Sequence, residues 1–548
     1  MFSPASQTAR AATNQESRPS RTTDLDIGPR SWVALFIPSV ADLIFILFLV
    51  SLSYGVLSPR LLGDAGTGWH IRNGQQILRT HLIPRTDSFS STMSGKPWYA
   101  WEWLYDLGVG LIHEKTGLNG VVLLTAVLIA LTFTLLFRLL LKRGTSLPIA
   151  LLFVLLTTMA STIHFLARPH VVSWIFTLTW LQILDSAADA PKREYVNLYW
   201  LPALMLLWVN LHGGFLMGFV LLGIFGLGGI FTRFTSRDPE EGRAAGKRVR
   251  CLAWITSLCL LASFLNPYGY KLYPHLYIYL SNRFLMNHIE EFQSPNFHQA
   301  APQCFAVLLL FAVLALAMSR RVPRFSHILL LVFATYAGLY ASRNIPIASI
   351  LITVVMASFL SAGIENGRQA LGPVWRGLGM QVASFFARMG QTESRLRWHL
   401  WPALLILASV WICAHHGRFG SRQVMKAQFD ERRFPVHAVD VILSRQLHEP
   451  IFSLDSWGGF LIYRLYPQTK VVLDDRHDLY GEQFLKDYLK VIHVDWQWQQ
   501  VLDAGNVNWV LIPANSALSS ILKQTPRWGI VQDDGMAILF RRESAVAN

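Results

Sequence analysis

Eleven runs of apolar residues, each long enough to cross a hydrocarbon layer about 30 Å thick at 1.5 Å per residue, limit this chain more than any other feature. They fall near residues 32–57, 119–141, 148–167, 170–188, 197–211, 214–232, 251–266, 302–319, 326–342, 345–362 and 399–416. In lipid each run must satisfy its backbone polar groups internally, and runs of this length do so as helices. The predicted fold class is therefore a polytopic α-helical membrane protein with about 11 transmembrane helices and a soluble C-terminal α/β domain. Composition agrees, because only 15% of residues are charged where soluble domains carry about 25%. The first run is too long for a signal-peptide core and has no small-residue cleavage site close behind it, so it reads as a retained span.

The formal charge of +14 would point to nucleic acid in a soluble protein. Here the basic residues punctuate the apolar runs, and no nucleic-acid partner is expected. Lys142, Arg143, Lys192, Arg193, the Arg233–Arg250 group, Arg320, Arg321, Arg324 and the arginines between 368 and 397 fall in alternate loops. The intervening short loops hold only Arg168, Lys271, Arg283 and Arg343. That bias predicts an odd number of spans, with the N-terminus inside and the C-terminal domain outside. The four cysteines, Cys251, Cys259, Cys304 and Cys413, lie in or beside apolar runs and form neither a disulfide framework nor a metal knuckle.

The chain divides into a disordered cytoplasmic tail (1–31), a transmembrane domain (32–416) and an extracytoplasmic α/β domain (417–548). Within the transmembrane domain, the outer loop 58–118 repeats apolar residues at helical spacing (Ile71, Gly74, Ile77, Leu78; then Trp101, Leu104, Gly108, Leu111, Ile112). It predicts two amphipathic helices lying at the membrane surface. In the C-terminal piece, β-like runs at Pro450–Leu454, Thr469–Leu473, Val507–Ile512 and Met536–Phe540 alternate with helix-like stretches.

Polar residues concentrate in the outward loops: Asp64–His70, Trp101-Glu102-Trp103, Arg168-Pro169-His170, Asn210–Gly214, Glu290–Pro295 and Arg343–Pro346. Ionisable groups at the edge of hydrocarbon are costly to keep, so their gathering on one face is itself a functional-site hypothesis. Asp64 stands among Gly63, Gly66 and Gly68, where a carboxylate can act as a general base or simply cap the following helix. Arg168 and Arg343 sit where the charge rule disfavours them, beside Pro169 and Pro346, and suit a lipid phosphate or act as interfacial anchors. His70, His170 and His212 lie on separate loops, so no helical ligand pair supports a metal centre, although with Asp64, Glu102, Glu290 and Glu291 they offer donors for a divalent metal ion. The aromatic residues beside them read as an interfacial belt. The segment Asp474–Gly481 follows a strand and precedes a helix, whose N-terminus can bind an anion; its acids read first as caps that stabilise that helix.

This arrangement resembles the C-type glycosyltransferase (GT-C) superfamily: a first outer loop with an acid just after the first helix, amphipathic helices in that loop, and a soluble domain outside. Asp64 matches the first-loop acid and residues 58–118 its helical insertion. The segments Asp64–His70, Arg85–Phe89, Trp101–Trp103, Arg168–His170 and Asp475–Gly481 are also similar to a group of mostly uncharacterised bacterial membrane proteins near that superfamily. Many superfamily members carry a tight acid pair in the first loop; here Asp64 stands alone, and Asp87 and Glu102 lie far along the chain. The resemblance implies an inverting transfer from a polyprenyl-phosphate-linked sugar, with membrane lipid around it, to an acceptor the sequence does not name. Asp64 would take the acceptor proton, and Glu102 is a further catalytic candidate. Arg168 and Arg343, with His170 or His212, would stabilise the departing phosphate. The rival readings are a transporter or flippase for a lipid-linked or anionic solute and a non-catalytic envelope assembly protein.

Overall fold

The computed structural model describes residues 36–543 apart from 56, 190, 191, 370–372, 397 and 398. The expected tail at 1–31 lies outside the described residues. The apolar runs fold as helices: α1 (Val40–Ser53), α2 (Gly66–Thr80), α3 (Trp103–Lys142), α4 (Leu147–Ser161), α5 (His170–Asp189), α6 (Trp200–Leu211), α7 (Leu216–Thr235), α8 (Pro239–Ser263), α9 (Leu272–Ser281), α10 (Ala300–Met318), α11 (Phe325–Tyr340), α12 (Ile345–Gln369), α13 (Pro373–Arg395) and α14 (Leu400–Ala414). Among the described residues six stretches are long and apolar enough to cross a membrane: Trp103–Lys142, Leu147–His164, His170–Ala188, Gly213–Thr235, Ala300–Met318 and Ser342–Gly367. Val40–Ser53, Tyr195–Leu211, Phe325–Tyr340 and Leu400–Ala414 are apolar but shorter. The remaining expected run, 251–266, coincides with the second half of α8, whose first turns carry Glu240, Glu241 and Arg243.

The helix α3 is the axis of the bundle, packing against α1, α2, α4, α5, α6 and α14. Its interior face is aliphatic and aromatic, with Phe133 and Phe137 wholly buried. Gly117 interrupts it with φ 64° and ψ −159°, a conformation that a side chain resists. The break separates residues 103–116 from the apolar part that follows, so the two can run in different directions. At the start of α1, Ser39 and Asp42 form a capping box, and the Glu393 carboxylate of α13 accepts from the amides of Val40 and Ala41 at 2.7 and 3.0 Å.

The C-terminal domain holds a four-stranded sheet: β1 (Ile451–Ser453), β2 (Trp509–Pro513), β3 (Trp528–Asp533) and β4 (Ala537–Arg542), in the order β1-β2-β4-β3. β1 and β2 are parallel, and the other pairs are antiparallel. Helices α15 (Asp455–Leu465) and α16 (His477–His493) complete the part that matters here. Thr469–Leu473, expected as a strand, makes isolated bridges instead, Val471 pairing with both Ser90 and Ile451. Its backbone groups stitch the first loop to the sheet rather than extending it.

The other departure concerns α2. Instead of lying on a membrane surface it is sandwiched between α3 and α15, with Trp69, His70, Ile71, Asn73 and Gly74 all buried. Gly74 makes this possible, since a Cβ there would stand 1.8 Å from the Asp106 carbonyl oxygen. Gly74→Ala should therefore cost about 1–3 kcal/mol of overpacking and lower the unfolding temperature in detergent. Gly108→Ala, where no atom lies within 4 Å of the new Cβ, should leave it unchanged.

Candidate active site

The turns at one end of the bundle meet the C-terminal domain around a cavity of about 510 Å³. Its polar wall comprises Glu102, Arg168, His170, His212, Glu291, Arg343, Asp475, Arg476 and Asp478. Its apolar wall includes Leu216, Met217 and Val220 of α7, Leu280 of α9, and Ile347 of α12. Six segments separated by scores of residues thus contribute polar groups to one space, five of them from the loops in which the sequence concentrates polar residues.

Arg168 is fixed between two acids, with Nη1 3.2 Å from Oδ2 of Asp64 and 3.9 Å from Oδ2 of Asp475. Gly66 allows this convergence, because a Cβ there would come within 2.6 Å of the Asp475 carboxylate and 2.8 Å of that of Asp64. Burial disfavours the charge on Arg168, yet Asp64 and Asp475 outweigh it and raise its pKa. Asp64 is absent from the cavity lining. It stands behind Arg168, and its Oδ1 accepts the Gly66 N–H at 2.8 Å, so its visible role is to hold the guanidinium. Trp69 Nε1 donates to Asp475 at 3.0 Å. Burial lifts the Asp475 pKa, against the opposing pull of Arg168.

Arg343 lies on another turn, with Nη1 3.2 Å from Oε1 of Glu291 and its guanidinium 4.3 Å from the Phe292 ring centroid. Burial would keep Glu291 protonated, but Arg343 and Arg168 prevail and hold its carboxyl at about 2. Glu102 behaves in the opposite way. Burial first, then the neighbouring Asp106, push its pKa up to about 8, and the two arginines only moderate the effect.

The histidines differ in what they can offer. His212 Nδ1 accepts the Gly214 N–H at 3.0 Å and lies 2.7 Å from Ser173 Oγ, which itself accepts from Trp208 Nε1 at 2.8 Å. The ring proton therefore sits on Nε2, 3.6 Å from Oε1 of Glu102. Burial, then Arg343 and Arg168, hold the His212 pKa at about 3, so the ring is a neutral donor. His170 spends its Nε2–H on the His164 carbonyl at 2.8 Å, which leaves Nδ1 as an acceptor ill suited to phosphate.

Reading the loops alone misses Asp475, Arg476 and Asp478, because acids after a strand suggest helix caps. Asp475 and Asp478 line the cavity instead, and Asp478 Oδ2 lies 3.3 Å from His275 Nε2. Arg476 is 3% exposed, grips Asp474 through Nε and Nη2 at 2.7 Å each, and reaches Asp87 at 2.8 Å. Its guanidinium lies 4.6 Å from the Trp98 ring centroid and 5.2 Å from that of Phe89. The opposite charges carried by residues 85–89 and 474–478 are the signal in the sequence that matches this pairing. No group of three His, Cys, Asp or Glu among the described residues could hold a metal ion, since the site's acids are taken by arginines and imidazoles.

No family model matches the chain, and no curated protein matches it. Among solved structures it is similar to the cryo-EM structure of the arabinofuranosyltransferase AftD from Mycobacteria. The similarity has 11% identity and a TM-score of 0.46, covering 92% of this chain and 41% of AftD. The chain thus spans less than half the length of AftD, and a likeness at this level carries no argument about activity.

Breaking the Arg476 cluster should be severe. Asp474→Ala removes the bidentate partner of a buried guanidinium, a loss of about 3–5 kcal/mol. Thermal unfolding should shift downward, and limited proteolysis should cut the C-terminal domain faster than in wild type.

Proposed function

We propose that this chain is a membrane glycosyltransferase that moves a sugar from a polyprenyl-phosphate donor to an acceptor at the outer face of the cytoplasmic membrane. The observation that carries the reading is one cavity shared by an acid of raised pKa, Glu102, and two guanidinium groups, Arg168 and Arg343. The apolar wall from α7, α9 and α12 suits a prenyl chain, and the excess of basic residues at the other end of the bundle supports the outward orientation.

In this reading the acceptor hydroxyl gives its proton to Glu102 as its oxygen bonds to the anomeric carbon. The bond from that carbon to the phosphate oxygen breaks, and its electron pair stays on the phosphate. Arg168 and Arg343 offset the charge growing there, and the Nε2–H of His212 is a further fixed donor at the same wall. A single displacement of this kind inverts the anomeric centre. Asp64 acts through Arg168, which it holds at the cavity edge. No step is assigned to a metal ion.

Glu102→Gln should lower transfer by about 10²–10⁴-fold while the protein still folds. Asp64→Asn, which keeps the oxygen that accepts from Gly66 but loses the charge facing Arg168, should also abolish transfer. Mass spectrometry of envelope glycans and lipid-linked sugars, in a deletion strain complemented by each variant, checks both. A wild-type glycan profile from the Glu102→Gln strain would refute the assignment. With isolated membranes, the rate should climb between pH 6 and about 8, because only ionised Glu102 accepts a proton and its carboxyl titrates near 8.

A further inference from the structure

Glu102 is flanked by two imidazoles of opposite character. His212 presents an N–H 3.6 Å from Oε1, as the hydrogen bonds to its Nδ1 require. On the other side His70, wholly buried, points Nε2 at Oε2 of Glu102 from 3.9 Å. That Nε2 has no hydrogen-bond partner, an expensive state for a buried nitrogen.

What fixes His70 lies one layer deeper. Asn73 Nδ2 donates to Oδ2 of Asp106 at 2.6 Å, and Oδ1 of Asp106 lies 2.5 Å from His70 Nδ1. With Asp106 ionised and Asn73 on one of its oxygens, the other takes the Nδ1–H of His70, and the lone pair of His70 is then on Nε2. One Glu102 oxygen therefore faces a donor and the other an acceptor, the pattern that fits a carboxylic acid with its carbonyl toward His212 and its hydroxyl toward His70.

We propose that Asp106 and His70 are positioning residues that receive the proton Glu102 takes from the acceptor, holding it between Glu102 Oε2 and His70 Nε2 as the glycosidic bond forms. This rests on the transfer reading above. The proton stays within the Glu102–His70 pair, and the electron pair of the broken bond remains on the phosphate. Closing the 3.9 Å gap needs about 1 Å of movement, within what sites show when a ligand arrives. Burial, then Arg168, hold the His70 pKa well below its ordinary value, so the ring rests neutral with its acceptor free. The charged and titratable groups around Glu102 are His70 from α2, His212 from the turn before α7, Tyr105 and Asp106 on its own helix, and at longer range Arg168, Arg343 and Asp478.

The test uses the full chain in lipid nanodiscs without ligand. Nitrogen NMR of ¹⁵N-histidine protein, with His70 identified by its loss in His70→Gln, should report a neutral Nδ1–H ring. The infrared carbonyl band of protonated Glu102, identified by its loss in Glu102→Gln, should titrate at a pH about one unit lower in Asp106→Asn. That amide turns its NH₂ to His70 and replaces the acceptor facing Glu102 with a donor, a change worth about one hydrogen bond. Loss of the Asp106 charge lowers this midpoint by itself, so the shift counts only beside the Nδ1–H ring of the wild type and a shift in His70→Gln, which removes no carboxylate. An Nε2–H ring in wild type, or a Glu102 band indifferent to both His70→Gln and Asp106→Asn, overturns the proposal. The glycan profile of complemented strains separates the two claims. If the spectra behave as expected while the deletion strain has wild-type glycans, proton sharing stands and the transfer reading falls. If the glycans need Glu102 while the spectra ignore His70 and Asp106, the shared proton alone is refuted.

Discussion

A guanidinium almost sealed from water organises this protein. Arg476 is tied to Asp474 on its own segment and to Asp87 in the first loop, and is walled by Trp69, Phe89 and Trp98. Removing a partner from a buried charge is costly, so the first loop and the C-terminal domain have to be in place together. The bridges from Val471 to Ser90 and Ile451, and the hydrogen bond from Thr92 to the Val472 carbonyl, extend the same seam. Through that seam Asp475 and Asp478 become walls of the cavity instead of caps on α16. The soluble domain is thus a component of the site, and its sheet lies behind the wall it supplies.

The electrostatics divide the acids by environment. Glu291 faces a guanidinium directly and remains ionised, held at about 2. Glu102 sees neutral imidazoles and a nearby carboxylate, and rises to about 8. Two glutamates in one cavity therefore do different things at neutral pH: one neutralises Arg343, and the other is free to exchange a proton. Pairs of titratable groups whose surroundings drive their pKa values apart are how a site separates acid from base, and the divergence arises here from which turn each residue occupies.

Much of the helical architecture is readable in the sequence because hydrophobic runs report local burial. The gathering of polar residues in alternate loops likewise pointed to the end of the bundle where Glu102, Arg168, His170, His212 and Arg343 now share a cavity. What local pattern cannot carry is pairing across long separations. Asp64 looks like an exposed base among glycines, yet the freedom Gly66 provides is used to bring Asp64 and Asp475 against Arg168. His170 looks equivalent to His212 until one sees which nitrogen each has left over. α2 has the periodicity of a surface helix, but Gly74 lets α3 approach so closely that its polar stripe, including His70 and Asn73, ends up buried.

That burial follows from the break at Gly117. Were α3 one straight helix, Glu102 and Asp106 would continue the line of the membrane-embedded part and project beyond it. The left-handed φ of Gly117 turns residues 103–116 onto their own course, beside α2. Asp106 then faces Asn73 and His70, while Glu102, just before the first turn of α3, faces the cavity. A glycine with no part in the chemistry thereby decides that the polar stripe of α2 meets carboxylates rather than lipid headgroups. The cost of burying those groups is offset only because each except His70 Nε2 and Asn73 Oδ1 finds a partner, and the first of these unpaired atoms points at the Glu102 carboxyl.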